Sequence, residues 1–436
     1  MASSPMQLLS PDAERSQLYN EFITSYLPKV QGGAQNGHFS FFQTITLKQS
    51  DQPALQEGLD ALSLVQVGSI NRDQSILKAA TQRYSKALNS VAKAITNGAF
   101  LYDDDVLAAV TVLATCELYE AIQTTCGGWV RHVQGADQLV AARGPDSLQS
   151  DLALLLYSNM RHGSLLYALI ARKAPFLAKP EWRDVAFRVP KAAQDASTMF
   201  YDIALRIPGV LERYDAIDVE SPTALEQIDK TLTESTRLEE DMRTWFKNWQ
   251  AQGLLDGQTM YILRPIDNFP TFTSLVTDRT FDHAYMFPDF LVAYLHSLYW
   301  MIMSYLRSNI QSLHKLRHKV QNDYYPPPDD VVPEGEIMGY ILNLCRCFPF
   351  FVEPISSSTG HIGIFLPLRA AAIYFTEHGH WLYLKWIGAV KNNVFVKGLA
   401  PPYVDHNRPQ KIDSLSPKSS VSPEPQSYNI TDSFKI

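Results

Sequence analysis

Three consecutive carboxylates, Asp103-Asp104-Asp105, are the residues in this chain best suited by type to hold a metal. Helical isoprenoid enzymes hold magnesium with D-D-x-x-D clusters facing a cavity, because a hard cation takes oxygen ligands. Here Leu107 stands where the last carboxylate belongs, and no second acidic motif of suitable spacing follows. The triplet reads instead as a helix start, with acidic groups beside the positive end of the helix dipole. His314 and His318 are four residues apart and share a helix face. Zincin chemistry needs a glutamate directly after the first histidine as general base. Lys315 occupies that place, so the segment reads as a basic, solvated helix end. Glu377-His378-Gly379-His380 is a weak metal signal with no partner cysteine or histidine nearby in sequence. Cys345 and Cys347 are spaced too closely for the usual C-x-x-C ligand pair, and no second pair exists. The chain has neither a G-x-S-x-G elbow nor a glycine-rich phosphate loop. The sequence therefore assigns no catalytic, cofactor-binding or metal residues, and no cofactor is expected.

The stretch GGWVRHVQGADQLVAARGP, residues 127–145, reads as a capped amphipathic helix. Trp129, Val133, Ala136 and Val140 fall on one face, flanked by Val130 and Leu139. Arg143 in the last turn and Gly144-Pro145 supply the stop. Gly135 in mid-helix costs about 1 kcal/mol relative to alanine, which is expected to reflect another backbone passing close. His132 reads as a surface or interhelix histidine.

The rest of the chain is helix after helix. Residues 14–30, Ala54–Val67, Gln74–Thr96, Asp104–Ile122 and Thr231–Gln250 carry helical spacing, and residues 31–53 read as irregular. Phe290–Leu306 is nearly continuously apolar; it carries His296, Ser297 and Ser304, and no second such stretch exists. It reads as a buried central helix rather than a membrane span. Pro175, Pro180, Pro190 and Pro208 punctuate the middle, and Asn322–Pro333 reads as a loop. No sustained period-two alternation supports a large sheet. The fold class expected is all-α: a large multi-helix domain over 14–398, between a flexible segment 1–13 and a Pro/Ser-rich tail 399–436 expected to be disordered.

Composition narrows the function classes. The chain has 436 residues, 46% of them hydrophobic, and a formal net charge of -7. A free-standing nucleic-acid binder would show a basic patch. The four cysteines are too few for a disulfide framework and fit a reduced intracellular compartment. The N-terminal segment has no basic and apolar run of the secretory kind. Ser4, Ser10, Ser416 and Ser422 precede prolines; such sites serve as plain linker or, phosphorylated, add negative charge to the ends.

The order of several segments resembles a known family. YSKALNSVAKAI (84–95), LYDDDVLAAVTVLATCELYEA (101–121), GGWVRHVQGADQLVAARGP (127–145) and LLYALIARKAPFLAKPEW (165–182) follow one another as in the fungal-specific transcription factor domain. That domain is the helical regulatory region of fungal zinc binuclear cluster activators. Phe287–Arg307 is similar to its long apolar helix, GHIGIFLPLRAAAIYF (360–375) to its closing block, and HWLYLKWIG (380–388) to the helix that follows. Relatives of the usual kind begin with six cysteines holding two zinc ions beside a basic stretch. The four cysteines here cannot build that cluster, so direct DNA contact by this chain alone is not expected.

The resemblance implies a nuclear regulator or co-regulator of transcription, set among metabolic or secondary-metabolite genes. It would act through protein partners of the transcription machinery or a DNA-binding co-regulator, as a homo- or heterodimer or with a small effector, and without a membrane. Two other readings stand beside it. One is an all-α enzyme of the isoprenoid type with an apolar cavity lined by Phe287, Tyr294, Trp300 and Tyr305. The other is a purely structural relative.

Overall fold

A computed structural model describes residues 11–30, 37–48, 50–98, 101–123, 127–188, 194–257, 259–321, 331–395 and 398–401. The all-α class holds. The helices are α1 (Pro11–Tyr26), α2 (Gly37–Leu47), α3 (Pro53–Asn71), α4 (Gln74–Thr96), α5 (Asp104–Cys116), α6 (Gly128–Arg143), α7 (Asp151–Ala171), α8 (Pro180–Arg183), α9 (Ala196–Ala204), α10 (Ile207–Ala216), α11 (Ala224–Leu255), α12 (Pro270–Leu275), α13 (Phe290–Val320), α14 (Glu334–Val352), α15 (Ser357–Glu377) and α16 (Trp381–Val394). One small antiparallel pair, β1 (Ile262–Pro265) and β2 (His283–Met286), joins Ile262 to Met286 and Pro265 to His283 in register.

Local chemistry sets most helix starts. Asp73 accepts from the backbone N–H of Ser75 and Ile76, Asp103 from Asp105, Ser150 from Ala153, and Asp289 from Val292. Each satisfies an amide that the helix itself leaves without a partner. Proline takes the first turn of α3, α8, α10 and α12, where no N–H is needed.

Packing follows from α13. Its first half is buried almost without interruption, and α10, α11, α14 and α15 cover it. Among the described residues no helix is long and apolar enough to cross a membrane. The His296 ring is fully buried, with its Nδ1 2.8 Å from the Val292 carbonyl oxygen. Phe246, Trp249, Tyr261, Phe287 and Trp300 surround it at centroid distances of 4.8 to 5.6 Å. Farther along, Arg307 donates to Glu239 at 2.9 Å and to Glu336 at 2.6 Å, while Arg243 reaches the same two carboxylates. That network ties α11, α13 and α14 together. In the other half α3 and α4 pack side by side, α5 lies against both, and α6 and α7 cover α5. One contiguous hydrophobic core runs from Tyr19 on α1 to Leu399.

Several expectations need correction. The segment read as irregular, 31–53, contains α2. Phe39, Phe41, Phe42 and Ile45 are buried there, with Phe42 against Phe22 and Tyr26 and Phe39 against Phe290. Tertiary burial rather than propensity makes this helix. The α5 helix stops at Cys116 instead of Ile122, because backbone groups of Leu118 and Glu120 bond to Ala400 and Gly398. Residues 399–401 thus pack against the domain, with Leu399 buried, while the remainder of the expected tail lies outside the described residues. So do residues 1–10, Cys126, the four Ser-Pro serines and most of the 322–333 loop. The α11 helix is longer than the expected Thr231–Gln250, and α1 starts at Pro11.

The helix over 128–143 forms as expected, but the reason offered for Gly135 fails. A Cβ placed there meets nothing within 4 Å. Close approach occurs at Gly128, where a Cβ would lie 2.1 Å from the Glu117 carboxylate, and at Gly360, where it would lie 2.1 Å from the Phe351 carbonyl oxygen. Gly135→Ala should therefore raise stability by about 0.5–1 kcal/mol through helix propensity. Gly360→Ala should lower it by about 1–3 kcal/mol through overpacking against backbone. Thermal melts of both variants check this; a loss at Gly135 matching that at Gly360 would restore a close contact there.

Burial holds the His296 imidazole neutral and pushes its pKa down to about 4. The unfolded chain takes up that proton near pH 6.5, so stability present above pH 6.5 is lost as pH falls toward 4. His132, also pushed down to about 4 by burial and Arg131, acts in the same direction. Denaturant unfolding between pH 7 and 4.5 should show a shallower acid decline in His296→Phe than in the natural chain. Equal slopes would mean that His296 is protonated within the fold.

Candidate functional site

A cavity of about 120 Å³ lies where α5, α6, α7 and α15 meet. The α5 wall presents Thr111, Ala114 and Thr115, spaced for one helix face, and Leu118 from the turn that follows. Both threonine hydroxyls are satisfied within the helix, Thr111 by the Leu107 carbonyl and Thr115 by that of Thr111. From α6 come Trp129, His132, Val133, Ala136 and Asp137, again one face. The α7 wall includes Asn159, Met160, His162 and Ser164, and α15 contributes Ile362, Phe365, Leu366 and Arg369. Tyr26 and Pro401 complete the lining.

Behind His132, a buried polar cluster joins α4, the turn after α5 and α6. The Tyr84 hydroxyl donates to Glu117 Oε1 through a short hydrogen bond. Its lone pair then accepts the Nε2–H of His132 at 3.0 Å, which places the proton of the neutral ring on Nε2. Burial raises the Glu117 carboxyl above its ordinary range, opposed by Tyr84 and Arg131. His132 is therefore an interhelix histidine, joining α6 to α4. On the opposite wall His162 contacts the hydroxyls of Tyr201 at 3.1 Å and Tyr294 at 3.1 Å.

Asp137 differs from these. The Ser164 hydroxyl donates to its Oδ2 at 2.9 Å. Among the described residues no lysine or arginine forms an ion pair with it. Burial pushes its carboxyl up to about 7, with Ser164 opposing. Apolar walls with a few converging polar groups suit non-covalent recognition of a small molecule.

The residues singled out from the sequence lie elsewhere and have structural partners. Asp103 caps α5 and accepts from Gln52 at 2.6 Å. Asp104 receives Arg143 at 2.7 Å and Ser150 at 2.5 Å, and Asp105 receives Lys48 and Ser50, each at 2.5 Å. The three carboxylates thus serve three different contacts. In the 314–318 segment Arg317 pairs with Asp229 and Lys315 with Gln311. His378 stacks on Tyr374 and lies 3.3 Å from Glu334. Cys345 and Cys347 are buried in α14, and burial pushes both thiols up. Among the described residues no group of three or more potential ligands could hold a metal. Phe287, Tyr294, Trp300 and Tyr305, offered as the lining of an enzyme cavity, do not line this one. Phe287 packs on Phe350, Tyr294 on Phe290 and Trp300 on Tyr285, as core.

Asp137 was missed, although its signal was in the sequence. It lies four residues from Val133 and eight from Trp129, so an acid borders an apolar stripe. The α7 and α15 walls carry no such signal, because only the fold brings them there.

Because the Asp137 carboxyl titrates at about 7 in the fold and near 3.9 in the unfolded chain, folding favours its protonated form. That contribution is present below pH 4 and lost as pH rises toward 7. Asp137→Asn keeps an acceptor for Ser164 and removes the titration. It should gain stability relative to the natural chain by about 3 kcal/mol between pH 4.5 and 7.5, measured by denaturant unfolding at both. A pH-independent difference would mean that Asp137 is ionised throughout.

Comparison with known proteins bears on the first half of the chain. Residues 16–206 match the fungal specific transcription factor domain. That segment runs from α1 through α9 and includes three of the four cavity walls. The later segments of the resemblance, 287–307, 360–375 and 380–388, fall outside the match. The chain is also similar to an uncharacterized protein of Emericella nidulans, AN5342, with 29% identity over 158 residues. The similarity covers 34% of this chain and 33% of that protein, so the chain spans about a third of its relative. No solved structure matches. Over residues 16–206, then, the chain is similar to the fungal specific transcription factor domain, the family that the order of its segments resembles.

Proposed function

We propose that this chain is a nuclear regulator or co-regulator of transcription, acting on a metabolic or secondary-metabolite gene set rather than as an enzyme. The observation that carries the reading is the match of residues 16–206 to the fungal specific transcription factor domain. In this reading the helical domain itself makes no contact with DNA. Neutralising phosphates needs clustered lysine and arginine, and the chain has a net charge of -7. The helical domain works through protein contacts and through a small effector held in the cavity. Three walls of that cavity belong to the matched segment and the fourth, α15, lies beyond it, so an occupant bridges both parts of the domain.

Chromatin immunoprecipitation with sequencing, on the chain tagged at its native locus, tests this. Focal enrichment at a limited set of promoters is expected. Uniform background from a protein that is expressed and folded would sink the reading.

A further inference from the structure

Asp137 is an anomaly for a purely structural helix contact. A carboxylate removed from water needs a counter-charge or several donors. Asp137 is half-buried, and fully buried carboxylates of the same half of the chain have such partners: Asp105 takes Lys48 and Ser50, and Asp60 takes Arg15 at 3.1 Å and Tyr19 at 2.9 Å. Asp137 has the Ser164 hydroxyl, and its surroundings are otherwise the cavity. Arg369, on the α15 wall of the same cavity, is not among the groups that act on it.

The space beside it is of ligand size. A cavity of about 150 Å³ lined by aliphatic and aromatic side chains accepts benzene, and this one is about 120 Å³. Trp129, Phe365 and Leu366 supply flat and aliphatic walls of the same kind.

We propose that the cavity binds a compact, mainly apolar molecule bearing one protonated amine, and that Asp137 is the residue that receives the amine. The apolar body lies against Trp129, Phe365 and Leu366, and the ammonium completes the missing ion pair. This deepens the reading of the cavity as an effector site and rests on it. Binding is measured on purified protein without DNA, so its failure and a failure at promoters are separate results.

The test uses the purified full chain with benzylamine, phenol and toluene at millimolar concentration, read by melting temperature and calorimetry. Benzylamine should bind at least fivefold more tightly than toluene at pH 7.5. Its affinity should rise between pH 5.5 and 8 as Asp137 ionises, while toluene stays level. The other titratable or charged groups on the walls are Tyr26, His132, His162 and Arg369. The histidines, if they titrated, would lose positive charge over that range, so the toluene control and Asp137→Asn are measured together. Asp137→Asn should keep toluene binding and lose the preference for the amine. If that variant does not fold, the pH series on the natural chain decides. Three outcomes overturn the proposal: benzylamine no tighter than toluene, phenol tighter than benzylamine, or no binding of any probe to protein that melts cooperatively.

Discussion

A helix that is apolar on every side for half its length has to be covered on every side, and α13 imposes that constraint on the whole domain. The helices α10, α11, α14 and α15 pack against α13, and its first half is buried almost throughout. The polar groups it carries must then find partners inside. His296 turns to the carbonyl of Val292, Ser304 to that of Met301, and Asn309 to Ser235 on α11. A buried polar group without a partner costs about 1–3 kcal/mol; the first two bonds lie within α13, and the Asn309–Ser235 bond fixes α11 against it. The Arg307–Glu239–Glu336 bridges act where α13 leaves the core, fixing α11 and α14 at the solvent edge.

The α15 helix transmits that arrangement to the other half. One part of its surface touches α13 and α14, and Ile362, Phe365, Leu366 and Arg369 close the cavity against α5, α6 and α7. At Gly363 the α15 backbone approaches the Tyr294 ring, and the Tyr294 hydroxyl bonds His162 on the cavity wall. The cavity is therefore bounded by elements held in place from two directions. The 398–401 segment adds a third hold, through its backbone bonds to the turn after α5 and through Pro401 at the cavity.

Two acids, Asp137 on the cavity wall and Glu117 behind His132, differ in how they are satisfied. Glu117 shares a hydrogen-bonded group with Tyr84 and His132, and its position beneath Gly128 leaves no room for a side chain there. Asp137 faces the apolar space with a single hydroxyl for company.

The sequence by itself determined the class of fold and much of its punctuation. Helical spacing placed α4 to the residue, Asp103 and Asp289 sit where short polar caps belong, and Gly144-Pro145 ended α6. These are local effects, decided by neighbours within a turn or two. The burial of 290–306 was legible because an apolar surface of that extent has few stable alternatives. Only the tertiary structure decided the rest. The α2 helix exists because Phe39, Phe41 and Phe42 are needed to cover α1 and α13. The α5 helix is short because a segment nearly three hundred residues later bonds its C-terminal turn. Gly135 is free and Gly360 is crowded, although nothing in their flanking residues distinguishes them. The cavity likewise depends on α15 meeting α6 and α7 across more than two hundred residues of chain. Residue spacing reports what lies on one face of a helix, but not which other face will lie opposite.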